Sequence, residues 1–189
     1  ERGISPEEMA LDLMLERDGH GVFYLPFLNY SQGSLEPIRA MMESRATLPG
    51  LSDGGAHVGM ICDGSFTTTM LTHWARDRQR GPKLPIEYLV KRQTQDTAQW
   101  MGLHDRGVIA PGYRADLNVI DLANLKLHLP EVQYDLPAGG RRLMQRASGY
   151  TATILKGEVT HRDGDPTGAK PGRMVRGAQT LQTAAIAAE

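Results

Sequence analysis

Apolar residues recur at helical spacing along four stretches of this chain and at alternate positions along two others. In SPEEMALDLMLERDGHG (5–21), Met9, Leu11, Leu13, Met14 and Leu15 form a wide apolar stripe, which predicts a helix. Ser5 suits its N-cap, Pro6 its first turn and Glu8 a capping box, and Gly19 suits its end. SLEPIRAMMESR (34–45) predicts a second helix, capped by Ser34, with Ile38, Met41 and Met42 turned inward. SFTTTMLTHWARDRQR (65–80) places Phe66, Met70, Leu71 and Trp74 on one face, and LPIEYLVKRQTQDTAQWMGL (84–103) predicts one or two shorter helices ending by Gly102. Between them, GVFYLPF (21–27) reads as a buried strand. ATLPGLS (46–52) reads as another, although Pro49 and Gly50 both oppose a regular ladder. Helix and strand alternate, which is the pattern of a parallel α/β architecture.

After Gly102 the period changes. Leu117–Ile120 and Tyr150–Thr160 alternate at period two, and ILKGEVTHRDGD (154–165) predicts a hairpin with Lys156-Gly157 at its tip. The final RGAQTLQTAAIAAE (176–189) is low in complexity and reads as a frayed tail. Three regions follow: 1–103, α/β; 104–165, a small all-β module; and 166–189, an extended C-terminal tail. Two parallel strands can neither close a barrel nor build a covered sheet, and the chain does not begin with methionine. Both features lead to the expectation that it is the C-terminal part of a longer protein.

Charge narrows the partners. Twenty-one basic and 22 acidic residues leave a formal net charge of −1, which gives no basis for binding nucleic acid or an anionic membrane. No apolar run approaches the roughly 20 residues of a membrane span, and the N-terminus lacks a signal-peptide pattern. The single cysteine, Cys62, excludes an internal disulfide and fits a reducing compartment, so a cytoplasmic protein is expected.

The sequence has no P-loop, no G-x-G-x-x-G after a strand, no G-x-S-x-G and no H-E-x-x-H. Its six histidines (His20, His57, His73, His104, His128 and His161) include no close pair at metal-ligand spacing, and one cysteine cannot build a thiolate zinc site. Attention therefore falls on LPGLSDGGAHVG (48–59). Asp53 ends a short apolar run before a helix, where a parallel α/β fold builds its active site. Such a carboxylate could hold a metal or move a proton between water and a leaving nitrogen, and the small residues after it would let a substrate approach backbone N–H groups. Alternatively, Ser52-Asp53-Gly54-Gly55 is an ordinary turn in which Asp53 bonds nearby amides. Both readings stay open on spacing alone. His57 either lines the same pocket or packs in the loop. His73 reads as a partly buried structural histidine beside Trp74, and Cys62 as a small apolar residue rather than a nucleophile. Arg76, Asp77, Arg78 and Arg80 read as a solvated helix face, and Arg141, Arg142 and Arg146 as surface.

LSDGGAHVG, then QDTAQWMGLHDRGVIAPGYRADL, then ILKGEVTHRDGDPTGAKPGRMVRG together resemble the C-terminal portion of the amidohydrolase superfamily, in its D-aminoacylase (N-acyl-D-amino-acid deacylase) branch. The likeness runs from about Glu7 to Gly177. It implies an α/β fold: 1–103 as the last strands and helices of a (β/α)8 TIM-like metal-dependent hydrolase barrel, and 104–165 as part of a small composite β-sandwich. GVFYLPF would be the seventh barrel strand and ATLPGLS the eighth. The resemblance implies that Asp53 is the general base, lying at or near the metal as a possible ligand, with Gly54, Gly55 and His57 bordering the substrate. It implies zinc in the full-length protein, where bound water would have a pKa near 7. The family's first-strand H-x-H pair and its later Cys, Lys and His ligands would lie upstream, so this chain alone is expected to bind no zinc and to be inactive. Deacylases often carry an H-P-R segment after the acid, whose arginine holds the substrate carboxylate. Here that place reads GMICDGSF, so the substrate identity stays open.

The expected partner is a small-molecule amide. A cyclic-amide hydrolase resembling dihydropyrimidinase is the alternative within enzymes. Outside them, the chain would be an association module, forming homo-oligomers or self-associating through exposed barrel edges.

Overall fold

The computed structural model describes residues 3–21, 23, 30, 32–50 and 57–181. Helix α1 (Pro6–Gly19) begins as its sequence requires. The Glu8 N–H donates to Ser5 Oγ at 3.1 Å, and the Ser5 N–H donates back to Glu8 Oε2 at 2.9 Å. Regular helical geometry stops earlier than the glycine signal, because Glu16 is extended and Arg17 and Asp18 are left-handed. No residue of α1 is buried. Its predicted inward stripe is exposed, because no described element covers it: Leu11 is 52% and Leu15 60% accessible.

Helix α2 (Glu36–Glu43) has Leu35, not the expected Ser34, at its N-cap, with no side-chain cap bond; Ser34 Oγ accepts from the Glu36 N–H at 3.2 Å from one residue further out. Helix α3 (Phe66–Thr69) runs on into a wider π-helical stretch, Met70–Asp77, and α4 (Ile86–Lys91) continues as a second, Arg92–Asp96, into α5 (Thr97–Trp100). Met70, Leu71, Trp74, Leu84 and Leu89 are buried between these helices, and Leu35, Ile38 and Met42 of the α2 region pack against them. The strand expected over GVFYLPF lies almost wholly outside the described residues. That expected over ATLPGLS is not met where it can be seen: Arg45–Ala46 is a turn, and Thr47–Gly50 joins no ladder. Pro49 has no N–H to give one.

Eight strands follow, and every pairing between them is antiparallel: β1 (Leu117–Ile120), β2 (Lys126–Leu127), β3 (Glu131–Leu136), β4 (Gly140–Met144), β5 (Ala147–Ser148), β6 (Tyr150–Leu155), β7 (Glu158–Arg162) and β8 (Asp165–Pro166). They form a sheet of order β1-β6-β7-β8 and two pairs, β2-β5 and β3-β4. The β6–β7 hairpin turns at Lys156 (φ 55°) and Gly157 (φ 81°), as predicted, since a two-residue turn of this hand needs positive φ at both positions. Its tip is pinned to the G-Y-R-A-D-L stretch. Asp116 Oδ1 accepts from the Lys156 N–H at 2.8 Å, and the Gly157 N–H donates to the Ala115 carbonyl at 2.9 Å.

Leu125, 1% accessible, joins the helical core, so the two regions share one interior. Thr68 Oγ1 and Tyr150 Oη lie 2.7 Å apart across the same boundary. The chain's end is not frayed where it is described. Gln179 lies beside Leu103 in a parallel bridge, its N–H reaching the Gly102 carbonyl at 2.8 Å while its carbonyl accepts from His104 N at 2.9 Å.

Candidate functional site

Asp53, Gly54 and Gly55 lie outside the described residues, so the site is seen through the chain that enters and leaves it. On entry, residues 41–47 are gripped by one face of the α4 region. Tyr88 Oη donates to the Met42 carbonyl at 2.6 Å. Arg92, 6% accessible, donates through one Nη to the Ser44 carbonyl at 3.3 Å and to the Thr47 carbonyl. Its other Nη lies 3.5 Å from Asp96 Oδ2. Thr47 Oγ1 bonds back to the carbonyls of Met41 and Ser44. A cavity of about 730 Å³ opens beside this stretch, bordered by Thr47, Leu48, Tyr88, Arg92 and Trp100.

On exit, His57 is left-handed (φ 49°), a conformation that histidine tolerates better than most residues. Its carbonyl accepts from Met60 N at 2.8 Å and Ile61 N at 3.0 Å, closing a turn, and the residue is exposed. The Leu143 N–H on β4 donates to the Val58 carbonyl at 2.7 Å, which ties the loop to the β module. Cys62 is half-buried. Burial first, and the neighbouring Asp63 carboxylate second, push its thiol up, away from a reactive thiolate.

The arginine-rich stretch is a solvated face at Asp77 and Arg80, which are exposed, but not at Arg78 or at the half-buried Arg76. Arg78 is 4% accessible and stacks 4.3 Å over the Trp74 ring, with Nε donating to the Arg80 carbonyl at 2.8 Å and an ion pair to Glu36. Its long apolar stem and a carboxylate partner let it bury where charge alone would not. Arg76 reaches the carbonyls of Leu122 and Ala123. His73 meets Trp74 edge-on at 5.2 Å, as a structural histidine would, and borders a cavity of about 330 Å³ with Arg78 and Arg80.

Among the described residues, no three His, Cys, Asp or Glu side chains cluster closely enough to hold a metal ion. The described donors therefore do not fit a zinc centre. No described helix is long and apolar enough to cross a membrane. Tyr88, Arg92 and Asp96 escaped the sequence reading. Their i, i+4, i+8 spacing within an otherwise ordinary helix was the available signal.

Residues 12–161 match the model of the amidohydrolase family, and the chain belongs to that family. It is 32% identical over 174 residues to an uncharacterized protein of Mycobacterium tuberculosis (strain H37Rv), covering 87% of this chain and 27% of that protein. It is 35% identical over 81 residues to a 5-methylthioadenosine/S-adenosylhomocysteine deaminase of Desulfitobacterium hafniense, covering 38% of this chain and 19% of the deaminase. Among solved structures, a D-aminoacylase described as defining a novel subset of amidohydrolases aligns with a TM-score of 0.40 at 30% identity, over 55% of this chain and 19% of that one. The chain thus spans about a quarter of the length of the mycobacterial relative.

Proposed function

We propose that the whole protein containing this chain is a metal-dependent hydrolase of a non-peptide C–N bond, and that its substrate is the amide of an N-acyl-D-amino acid. The observation that carries this reading is the family match over residues 12–161, which includes the acid of Ser52-Asp53-Gly54-Gly55. The G-V-I-A-P-G-Y-R-A-D-L stretch some fifty residues later supports the branch. The likeness to a deaminase supports the wider bond class, since deamination also cleaves carbon from nitrogen.

In this reading the chain supplies the eighth strand of a (β/α)8 barrel and the proton-handling carboxylate. Asp53 takes a proton from the water that attacks the amide carbonyl, and delivers it to the departing nitrogen as the C–N bond breaks. Proton transfer of this kind contributes about 10²–10⁴ in rate. Gly54 and Gly55 leave room for the substrate beside the carboxylate, and His57 borders it. Zinc, which would polarise the carbonyl, belongs to the reading as a group held mainly by residues elsewhere in the whole protein, with Asp53 at or near it.

A substrate panel tests the class. The whole protein is expected to turn over N-acetyl-D-amino acids in preference to their L-enantiomers and to a hydantoin. Turnover of the hydantoin alone would replace this reading with the cyclic-amide one. No hydrolysis of any amide or imide offered would remove it.

A further inference from the structure

The G-Y-R-A-D-L stretch has no part in the amide chemistry proposed above, yet it borders a cavity of about 370 Å³ where cations from three segments meet. Arg106 and Arg114 come from the loop before β1, Lys156 from the β6–β7 tip and Arg173 from the chain beyond β8. Asp105 is the one carboxylate on the described wall, and it is already engaged. Arg106 Nε and Nη2 donate to its two oxygens at 2.8 and 3.0 Å. The nearby Asp116 Oδ1 accepts from Arg114 Nε and from the Lys156 main-chain N–H, both at 2.8 Å. Among the described residues, the Arg114 Nη groups donate no hydrogen bond, and Lys156 and Arg173 enter no ion pair. Four cations therefore stand against two carboxylates, in a chain whose formal net charge is −1. Like charges gathered from separate segments repel, and a bound anion relieves that repulsion.

The wall is fastened at definite points. The Arg106 and Arg114 side chains are only 17% and 18% accessible, and the hairpin tip is tied to Ala115 and Asp116. The segment carrying Arg173 is fixed at its ends, where the Thr167 N–H donates to the Thr160 carbonyl at 2.9 Å and the Gln179 N–H to the Gly102 carbonyl. Between them, no main-chain N–H from 170 to 178 donates a hydrogen bond among the described residues.

We propose that this cavity binds the phosphate group of a small organic phosphate. A phosphate monoester carries about 1.5 to 2 negative charges at pH 7 and three acceptor oxygens, which suits donors arriving from three segments. Arginine forks pair well with phosphate, and Tyr113 and the exposed Met174 offer apolar surface to the organic part. Every residue invoked is described, and the inference is independent of Asp53.

The test titrates the whole protein calorimetrically with ribose 5-phosphate, AMP and inorganic phosphate, and follows hydrogen exchange on the same samples. Wild type is expected to bind at least one of the two organic phosphates with Kd below about 1 mM, and inorganic phosphate to displace it. Lys156→Gln with Arg173→Gln should weaken binding at least about tenfold, because two of the unpaired cations are gone. Lys126→Gln, an exposed cation on β2 that does not border the cavity, should leave it unchanged. Bound ligand should slow exchange over 170–178. Should the double variant fail to fold, Arg173→Gln alone carries the comparison. Binding by none of the probes overturns the proposal. So does wild-type affinity in the double variant, an equal loss in Lys126→Gln, or binding that leaves exchange over 170–178 untouched.

Discussion

His73, inside the Met70–Asp77 helical stretch, and Arg78, just past its end, carry opposite consequences of burial. Arg78 is buried, but its partner Glu36 is half-exposed at 45% of its side chain. Removing the arginine therefore strands no buried charge, whereas removing the glutamate does. Arg78→Met, which keeps a stem over Trp74, is expected to cost about 1–2 kcal/mol in urea unfolding. Glu36→Ala is expected to cost more, and the reverse order would contradict the pairing. For His73, burial first and the Arg78 cation second hold the imidazole below its ordinary value of 6.5, with Asp77 opposing. The unfolded chain then binds the proton more readily than the folded one, so stability rises with pH through the window below 6.5 and is flat above it. The carboxyl of Asp105, lowered chiefly by its hydrogen bond from Arg106, titrates beneath its own ordinary value of 3.8, well outside that window. Urea midpoints of wild type should fall between pH 7 and pH 5, and His73→Gln should remove most of that slope. An equal slope in the variant would show that His73 is not its source.

At the scale of elements, two glycines make a graded comparison. Gly157 at the hairpin tip has positive φ but open space around it, so Gly157→Ala meets backbone strain alone, about 1 kcal/mol. Gly149 has φ 99°, and an added Cβ would stand 2.7 Å from Leu125 Cα, so strain and a backbone clash combine. Gly149→Ala is expected to cost more than about 2 kcal/mol in thermal or urea unfolding. Elements with local causes were readable from the sequence: the Ser5–Glu8 box and the Lys156-Gly157 turn each act within a few residues. What depended on distant partners was not. The stripe of α1 is apolar but uncovered, Arg78 is charged but buried, and Gln179 sits in low-complexity sequence yet pairs with Gly102 and His104. The G-Y-R-A-D-L stretch shows both sides. Its turn glycine was expected, but nothing local announced that Asp116 and Ala115 would hold a hairpin tip forty residues on. For the site, the motif around Asp53 stood out by composition, while the hold of Tyr88 and Arg92 on the carbonyls of Met42, Ser44 and Thr47 arises only when α4 packs against the chain leaving α2.

The whole chain exposes 14050 Å². A compact monomer of its 20.8 kDa would expose about 9,000 Å². Large apolar side chains stand exposed among the described residues, including Leu11, Met14 and Leu15 on α1 and Trp100 at 74% accessible. Surface of that kind drives association. The isolated 189-residue chain is therefore expected to run as oligomers in size-exclusion chromatography with light scattering, and a stable monomer with a cooperative melt would contradict this. In the proposed reading the chemistry belongs to the whole protein, where one carboxylate from this chain would act with groups brought by the rest. The direct test is turnover of an N-acyl-D-amino acid by the whole protein with and without Asp53→Ala, with metal content measured on both samples. Loss of about a hundredfold to ten-thousandfold in kcat with metal retained is the expected result. A variant that keeps its rate would contradict the assignment of Asp53 as the base.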